Sequence, residues 1–164
     1  MEQNYIYSFS QIEDKVKALH ETNTEAAAAV AISWLGLSRD ELKTLRVSDY
    51  NSTMRMLHTA GRVVYVREDT IADMLKGICE KAPEYSMGFF ITDVNSAYEA
   101  AEKQGLSPIS VLKMRYFYEK HSAKLSGEPE DRVFLKEILR SIGESEADME
   151  KQFAEYENGA PEKI

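Results

Sequence analysis

Apolar residues recur at helical spacing over most of the chain, and the period changes to alternation in one short stretch. Ser10 and Glu13 have the spacing of a capping box, which predicts a helix to about Glu21 with Ile12, Val16 and Leu19 on one side. Thr24 stands where a cap is needed for the next helix. There Ala26 to Ala29, Val30, Ile32 and Trp34 are small or apolar all round, the composition of a helix buried on several sides. Gly36 can take the left-handed conformation that stops it. Ser38 and Glu41 then form a second capping box, Leu42 and Leu45 give a short helix its buried side, and Arg39, Lys43 and Arg46 are left for solvent or a partner. An extended segment over 47–50 leads into two strand-like runs, 53–58 and 62–66, joined by Thr59-Ala60-Gly61; this predicts a hairpin with its glycine at a left-handed bulge position. Tyr5 to Phe9, aromatic and β-branched, predict a short extended arm.

The helical period returns after the hairpin. Asp69 and Thr70 offer caps for a helix carrying Ile71, Met74, Leu75 and Ile78, which ends before Pro83. A loop over 82–91 enters an apolar patch at Phe89 to Ile91, and a helix from Val94 to Gln104 stops at Gly105. A long helix over 109–125 and another over 131–141 follow, the latter with Val133, Phe134, Ile138 and Leu139 inward. Ser145 caps a last helix to about Glu157, and residues 158–164, polar with glycine and proline, make a flexible tail. The expected class is mainly α with a small antiparallel β-sheet (α+β), in one domain over residues 1–157.

Charge narrows the functional classes. The 164 residues carry 28 acidic against 20 basic side chains, a formal net charge of −8, which disfavours generic binding to nucleic acid or an anionic membrane. Residues 141–164 account for −5 of it, so the rest of the chain is only mildly acidic. Within 112–124 the sign reverses: Lys113, Arg115, Lys120 and Lys124 against Glu119 give +3, interleaved with Tyr116, Phe117 and Tyr118. Such a mixture can contact phosphates and bases, though an amphipathic helix with buried aromatics and solvated lysines has the same composition. Cys79 is the only cysteine and reads as a small core residue, which fits a reducing compartment. No run of eighteen apolar residues and no signal-peptide pattern occurs, so the expected location is cytoplasmic, with no membrane partner. His20, His58 and His121 are scattered and read as structural; no metal site and no cofactor is expected.

Two stretches carry a family resemblance. In WLGLSRDELKTLRVSDY, residues 34–50, Leu35, Gly36, Leu37, Glu41, Leu42, Leu45 and Asp49 fall in register with the first motif block, TGLRxSELLxLxWxDID, of the tyrosine recombinase (phage integrase) catalytic domain. The Gly105-to-Pro108 loop before ISVLKMRYFYEKHSAKL, residues 109–125, resembles the loop before the family's second block. The resemblance covers about residues 20–157, the catalytic domain alone, without the family's N-terminal DNA-clamping domain.

The resemblance implies a fold and an activity, DNA strand cleavage and rejoining by a tyrosine nucleophile, and also marks where this chain departs from it. Ser38 stands at the first catalytic arginine, Leu112-x-x-Arg115 at the His-x-x-Arg pair that holds the scissile phosphate, and Glu144 at the next phosphate-binding position. The nucleophile position falls on Phe153, with Tyr156 one turn later, and the hairpin turn lacks the family's lysine, leaving Arg62 and His58 as its nearest cations. Arg115 is the one retained catalytic position; a carboxylate such as Glu41 is expected to pair with it.

The expectation is therefore a degenerate, catalytically inactive recombinase-like protein of the DNA recombination and integration class, a DNA-associated or regulatory binding protein of a mobile element. Arg39, Lys43, Arg46, Arg62, Lys113 and Arg115 on one surface are the candidates for weak DNA contact. Two alternatives stay open. One is a protein-interaction module with no DNA role, whose partner is another protein such as a related recombinase, or a second copy docked through the C-terminal helix. The other is a divergent active recombinase using Tyr156. All three require the first motif block and the 109–125 helix to pack together, with Ser38, Glu41 and Arg115 on one side.

Overall fold

Helix α2 (Thr24–Trp34) is buried at every residue from Ala26 to Trp34, and the rest of the chain is built around it. A computed structural model describes residues 8–59, 61–82 and 88–158, with the side chains of 156–158 outside the described set. The alanines have no side chain beyond Cβ, so α1 (Glu13–Thr22), α5 (Val94–Lys103) and α6 (Pro108–Ser126) all approach α2 closely from different sides. Helix α4 (Asp69–Lys81) also packs on it.

Several helix starts differ by a residue or two from the expected ones. Asn23 caps α2, its Oδ1 accepting from the Ala26 amide at 3.0 Å, because Thr24 is already helical. The first capping box is Ser8 with Gln11 around a 3-10 turn (Phe9–Gln11), so Ser10 and Glu13 do not form one. Phe9 is therefore in a buried turn against Trp34 rather than in an extended arm; Tyr5 to Tyr7 lie outside the described residues. Asp69 and Thr70 are helical residues of α4, preceded by Glu68, and give no side-chain cap. The box of Ser38 and Glu41 on α3 (Arg39–Thr44) forms as expected.

The segment expected to be extended over 47–50 is a 3-10 turn (Val47–Asp49) followed by a strand, β1 (Tyr50–Asn51). Asp49 Oδ2 accepts from the Arg46 amide at 2.8 Å and holds that turn closed. With β2 (Met56–Thr59) and β3 (Arg62–Tyr65) this makes a three-stranded antiparallel sheet in the order β1-β2-β3, one strand more than the hairpin alone. Thr59 pairs with Arg62, so it belongs to the ladder and the loop has two residues rather than three; Gly61 at φ 80° is left-handed as expected, but the register beside it is continuous, without the expected bulge.

Helix α6 starts at Pro108 behind Ser107 and ends at the left-handed Gly127. In α7 (Arg132–Ile142) the buried stripe is Leu135 and Ile138 with Phe134 and Leu139 partly covered, whereas Val133, expected inward, is 75% exposed. It lies two residues before Leu135, about 200° around the helix, and so faces away. The last helix, α8 (Glu146–Asn158), begins after Ser145, whose Oγ accepts from the Asp148 amide. Its Met149 and Phe153 close a second apolar cluster with Leu112, Tyr116, Phe117, Leu135 and Ile138. Among the described residues, no helix is long and apolar enough to cross a membrane.

Candidate functional site

The end of α2 leaves backbone carbonyls without helical partners, and two distant arginines take them. Arg115 Nη1 donates to the Trp34 carbonyl at 2.8 Å, and Arg62 Nη2 donates to the Gly36 carbonyl at 3.2 Å. Cations at a helix C-terminus also meet the negative end of its dipole. The Trp34-to-Gly36 turn thus brings the first motif block, the hairpin and α6 to one place, where Arg62 and Arg115 line a cleft of about 340 Å³.

Arg62 is held by Glu41, with Nε 3.3 Å from Oε2 and Nη2 2.9 Å from Oε1. That carboxylate also accepts from the Ser38 amide and hydroxyl and from Thr59 Oγ1. One side chain therefore closes the α3 cap and fixes the hairpin against it. Glu41 is taken by Arg62, so the expected pairing of Arg115 with Glu41 is not made. Arg115 instead donates from Nε and Nη2 to Glu119 Oε1, both at 2.8 Å, and lies 3.9 Å from Glu68 Oε1. Its guanidinium sits over Phe134, Trp34 and Tyr118 at 4.9, 5.2 and 5.8 Å from the ring centroids. Glu68 Oε1 in turn accepts from Trp34 Nε1 at 2.9 Å. Only 13% of the Arg115 side chain is exposed, so its donors face protein groups.

Ser38 and Glu41 reach the cleft only through Arg62, which Glu41 holds and which lines the cleft together with Arg115, while α6 itself packs chiefly on α2 and α7. The six candidate cations do not gather on one surface. Only Arg62 and Arg115 line the cleft. Arg39 lies over Tyr98 on α5, 4.4 Å from the ring centre, and Arg46 over Phe89 at 5.0 Å. Lys43 lies 4.0 Å from Asp40 within its own helix. Lys113 is 2.7 Å from Glu144, whose carboxyl is held below the usual range, first by the hydrogen bond from Lys113 and then by that from Gln152. Glu144 thus neutralises a lysine at the position where the resemblance implies a phosphate-binding group.

The remaining motif positions lie in the core. Leu112 is fully buried, and Phe153 stacks on Phe117 with centroids 5.9 Å apart, so both belong to the apolar cluster under α8 and neither presents a donor to the cleft. Tyr156 falls on α8, and its side chain lies outside the described residues. The α8 face carrying Met149 and Phe153 is covered by the chain's own α6 and α7.

Sequence reasoning missed Glu68 and Phe134 as partners of Arg115, and no local spacing signals them. The i,i+4 relation of Arg115 to Glu119 was available as a signal. It also left the lysines of α6 to solvent. Lys120 is instead largely buried, 3.0 Å from Glu130 and bonded to Glu150, which also accepts from the Tyr116 hydroxyl at 3.0 Å. Burial opposes the Lys120 charge, yet hydrogen bonds to Glu150 and Glu130 raise its pKa; burial first and Glu150 second push the Tyr116 phenol up. Cys79 is half-buried, its thiol facing the Val47 carbonyl at 3.6 Å, and burial raises its pKa. No group of three or more metal-ligating side chains occurs among the described residues.

Compared with known proteins, the chain matches no family model and no curated protein. A solved structure, XerA recombinase, superposes on 98% of this chain with a TM-score of 0.58 at 13% identity. The fold is similar to that of a tyrosine recombinase domain. The chain corresponds to 66% of the length of the XerA recombinase structure, and at this identity the likeness concerns the recombinase-like fold alone.

Proposed function

We propose that this protein is a non-cleaving member of the recombinase-like fold that acts in DNA recombination as a regulatory binding protein, with protein rather than DNA as its main contact. The observation that carries the reading is the fate of the motif positions. Phe153 and Leu112 are interior apolar contacts, and Arg115, the one retained catalytic position, is spent on Trp34, Glu119 and three aromatic rings. Strand cleavage needs a nucleophile, cationic donors on the nonbridging oxygens and an acid for the leaving oxygen, and each missing group removes about 10²–10⁴-fold in rate. Ser38 is occupied in a helix cap and Glu144 in an ion pair, so neither supplies a free donor.

Contact through protein is favoured by the pairing of the cations. Four of the six candidates face carboxylates and two lie over aromatic rings, in a chain of net charge −8. Releasing Arg62, Lys113 or Arg115 to a phosphate first costs an existing partly buried ion pair, whereas the exposed Lys43–Asp40 pair opens at little cost. The test is incubation with nicked suicide duplexes followed by a denaturing gel. The expected result is no covalent adduct. An adduct that is lost in Tyr156→Phe overturns the reading in favour of an active recombinase using that tyrosine.

A further inference from the structure

The cleft beside Arg62 and Arg115 has a property that its arginines do not explain. It is lined by Arg62, Val63, Val64 and Tyr65, four consecutive residues of β3. Successive side chains of a strand point to opposite faces, so a cavity over one face touches every second residue. A cavity touching four in succession runs along the strand's edge. Among the described residues β3 is an edge strand, since the sheet order is β1-β2-β3.

The ladder shows which backbone groups that edge offers. The Val66 amide donates to the Arg55 carbonyl at 2.9 Å, which makes Arg55 and Val66 a hydrogen-bonded position. Continuing the same antiparallel register, Leu57–Val64 and Thr59–Arg62 are hydrogen-bonded pairs, and Met56–Tyr65 and His58–Val63 are the alternate ones. The N–H and C=O groups of Val63 and Tyr65 therefore point away from β2, into the cleft side. Edges are usually blunted by lysine, proline or a bulge. β3 is short, at four residues, which is itself one such device, but it has no lysine, proline or bulge, and its one charge, Arg62, is turned onto Glu41.

The apolar surface is concentrated at the same place. Val63, Tyr65 and Val133, which all line the cleft, are 41%, 62% and 75% exposed, and they are half of the large exposed apolar side chains among the described residues. Of the charged residues in the lining, Arg62 and Arg115 are held by Glu41 and Glu119 respectively, Asp131 and Glu137 are carboxylates, and Arg67 at the strand end has no carboxylate partner among the described residues.

We propose that the β3 edge is a docking site for an extended segment of another protein, added as a fourth strand. Its backbone pairs with Val63 and Tyr65, alternate apolar side chains cover Val63, Tyr65 and Val133, and a carboxylate meets Arg67. The proposal rests on the reading of this protein as a non-cleaving binder and names the kind of partner.

The test uses the full chain, labelled with nitrogen-15, and a panel of capped nonapeptides. These alternate valine or isoleucine with threonine in both registers, with glutamate or lysine at either end. The expected result is binding by the glutamate-ended peptides, with amide shifts at residues 62–67 and 132–137. Tyr65→Lys should weaken it at least tenfold. N-methylation of every second peptide amide should abolish binding in one register and spare the other, which a merely greasy contact would not do. The proposal is overturned if no peptide binds below about 1 mM, if both N-methyl registers bind alike, or if short duplex DNA shifts these amides and the peptides do not. It is also overturned if a concentration-dependent dimer lost in Tyr65→Lys shows that the occupant is a second copy. Failure of the peptides without a covalent DNA adduct removes this site alone. An adduct removes the functional reading whatever the peptides do.

Discussion

Gly36 has a φ of 94°, and a Cβ built on it would lie 2.7 Å from Phe134 Cε1. Gly105 has a similar φ of 79° with nothing within 4 Å, so the two positions separate backbone strain from crowding. Gly105→Ala is expected to cost about 1 kcal/mol from the left-handed conformation alone. Gly36→Ala should cost about 2–4 kcal/mol, since it also displaces the ring on which the Arg115 guanidinium lies. Urea unfolding of the two variants measures the difference. Arg115 is the second residue to examine. If it is a structural pin, Arg115→Lys destabilises the protein by about 2 kcal/mol without any ligand, because an ammonium cannot stack flat while donating to both Trp34 and Glu119. An arginine held free for phosphate would give no loss in the same urea titration.

Among the elements, α8 is attached in two ways. Met149 and Phe153 supply apolar contact, and Glu144 at its foot joins Lys113 to Gln152. The pKa of Glu144 is depressed in the folded protein, so this contact stabilises above the ordinary carboxylate value of 4.5 and is lost as pH falls through the lower folded value. The foot of α8 should accordingly lose hydrogen-exchange protection below about pH 4.5 before the α2 core does, with Glu144→Gln removing that pH step. The hairpin contrasts with this. It is fixed by Glu41, which accepts from Ser38, Thr59 and Arg62 together, and so a single capping residue determines both where α3 starts and where β3 lies.

For the whole molecule, the charge pairing sets the affinity for DNA. Nonspecific complexes of basic proteins already sit at about 10⁻⁴ to 10⁻⁶ M at physiological salt, and a net charge of −8 with its candidate cations paired or stacked places this chain at or beyond the weak end. A fluorescence titration with a 30-base-pair duplex should give a Kd weaker than about 10⁻⁴ M. Tight binding with a steep salt slope would show instead that the pairs open and that DNA is a principal contact.

Much of this architecture was legible without coordinates. Period and capping chemistry located α2, the Ser38–Glu41 box, the hairpin glycine and the helices from α4 to α8, because these depend on residues three or four apart. The motif register placed Glu41 on α3, Leu112 and Arg115 on α6 and Phe153 on α8. The sequence by itself therefore determined the order of the elements and which side chains could bear charge at the cleft. Only the tertiary structure decided what each charge meets. Glu41 went to Arg62 and not to Arg115, Lys120 went to Glu130 and Glu150 and not to solvent, and the first helices moved their caps to Ser8 and Asn23. The reason is physical: local spacing fixes which face of an element a residue occupies, whereas an ion pair between residues tens of positions apart depends on how whole elements dock. The apolar edge of β3 belongs to the same class, since a strand has a free edge only once the order of the sheet is known.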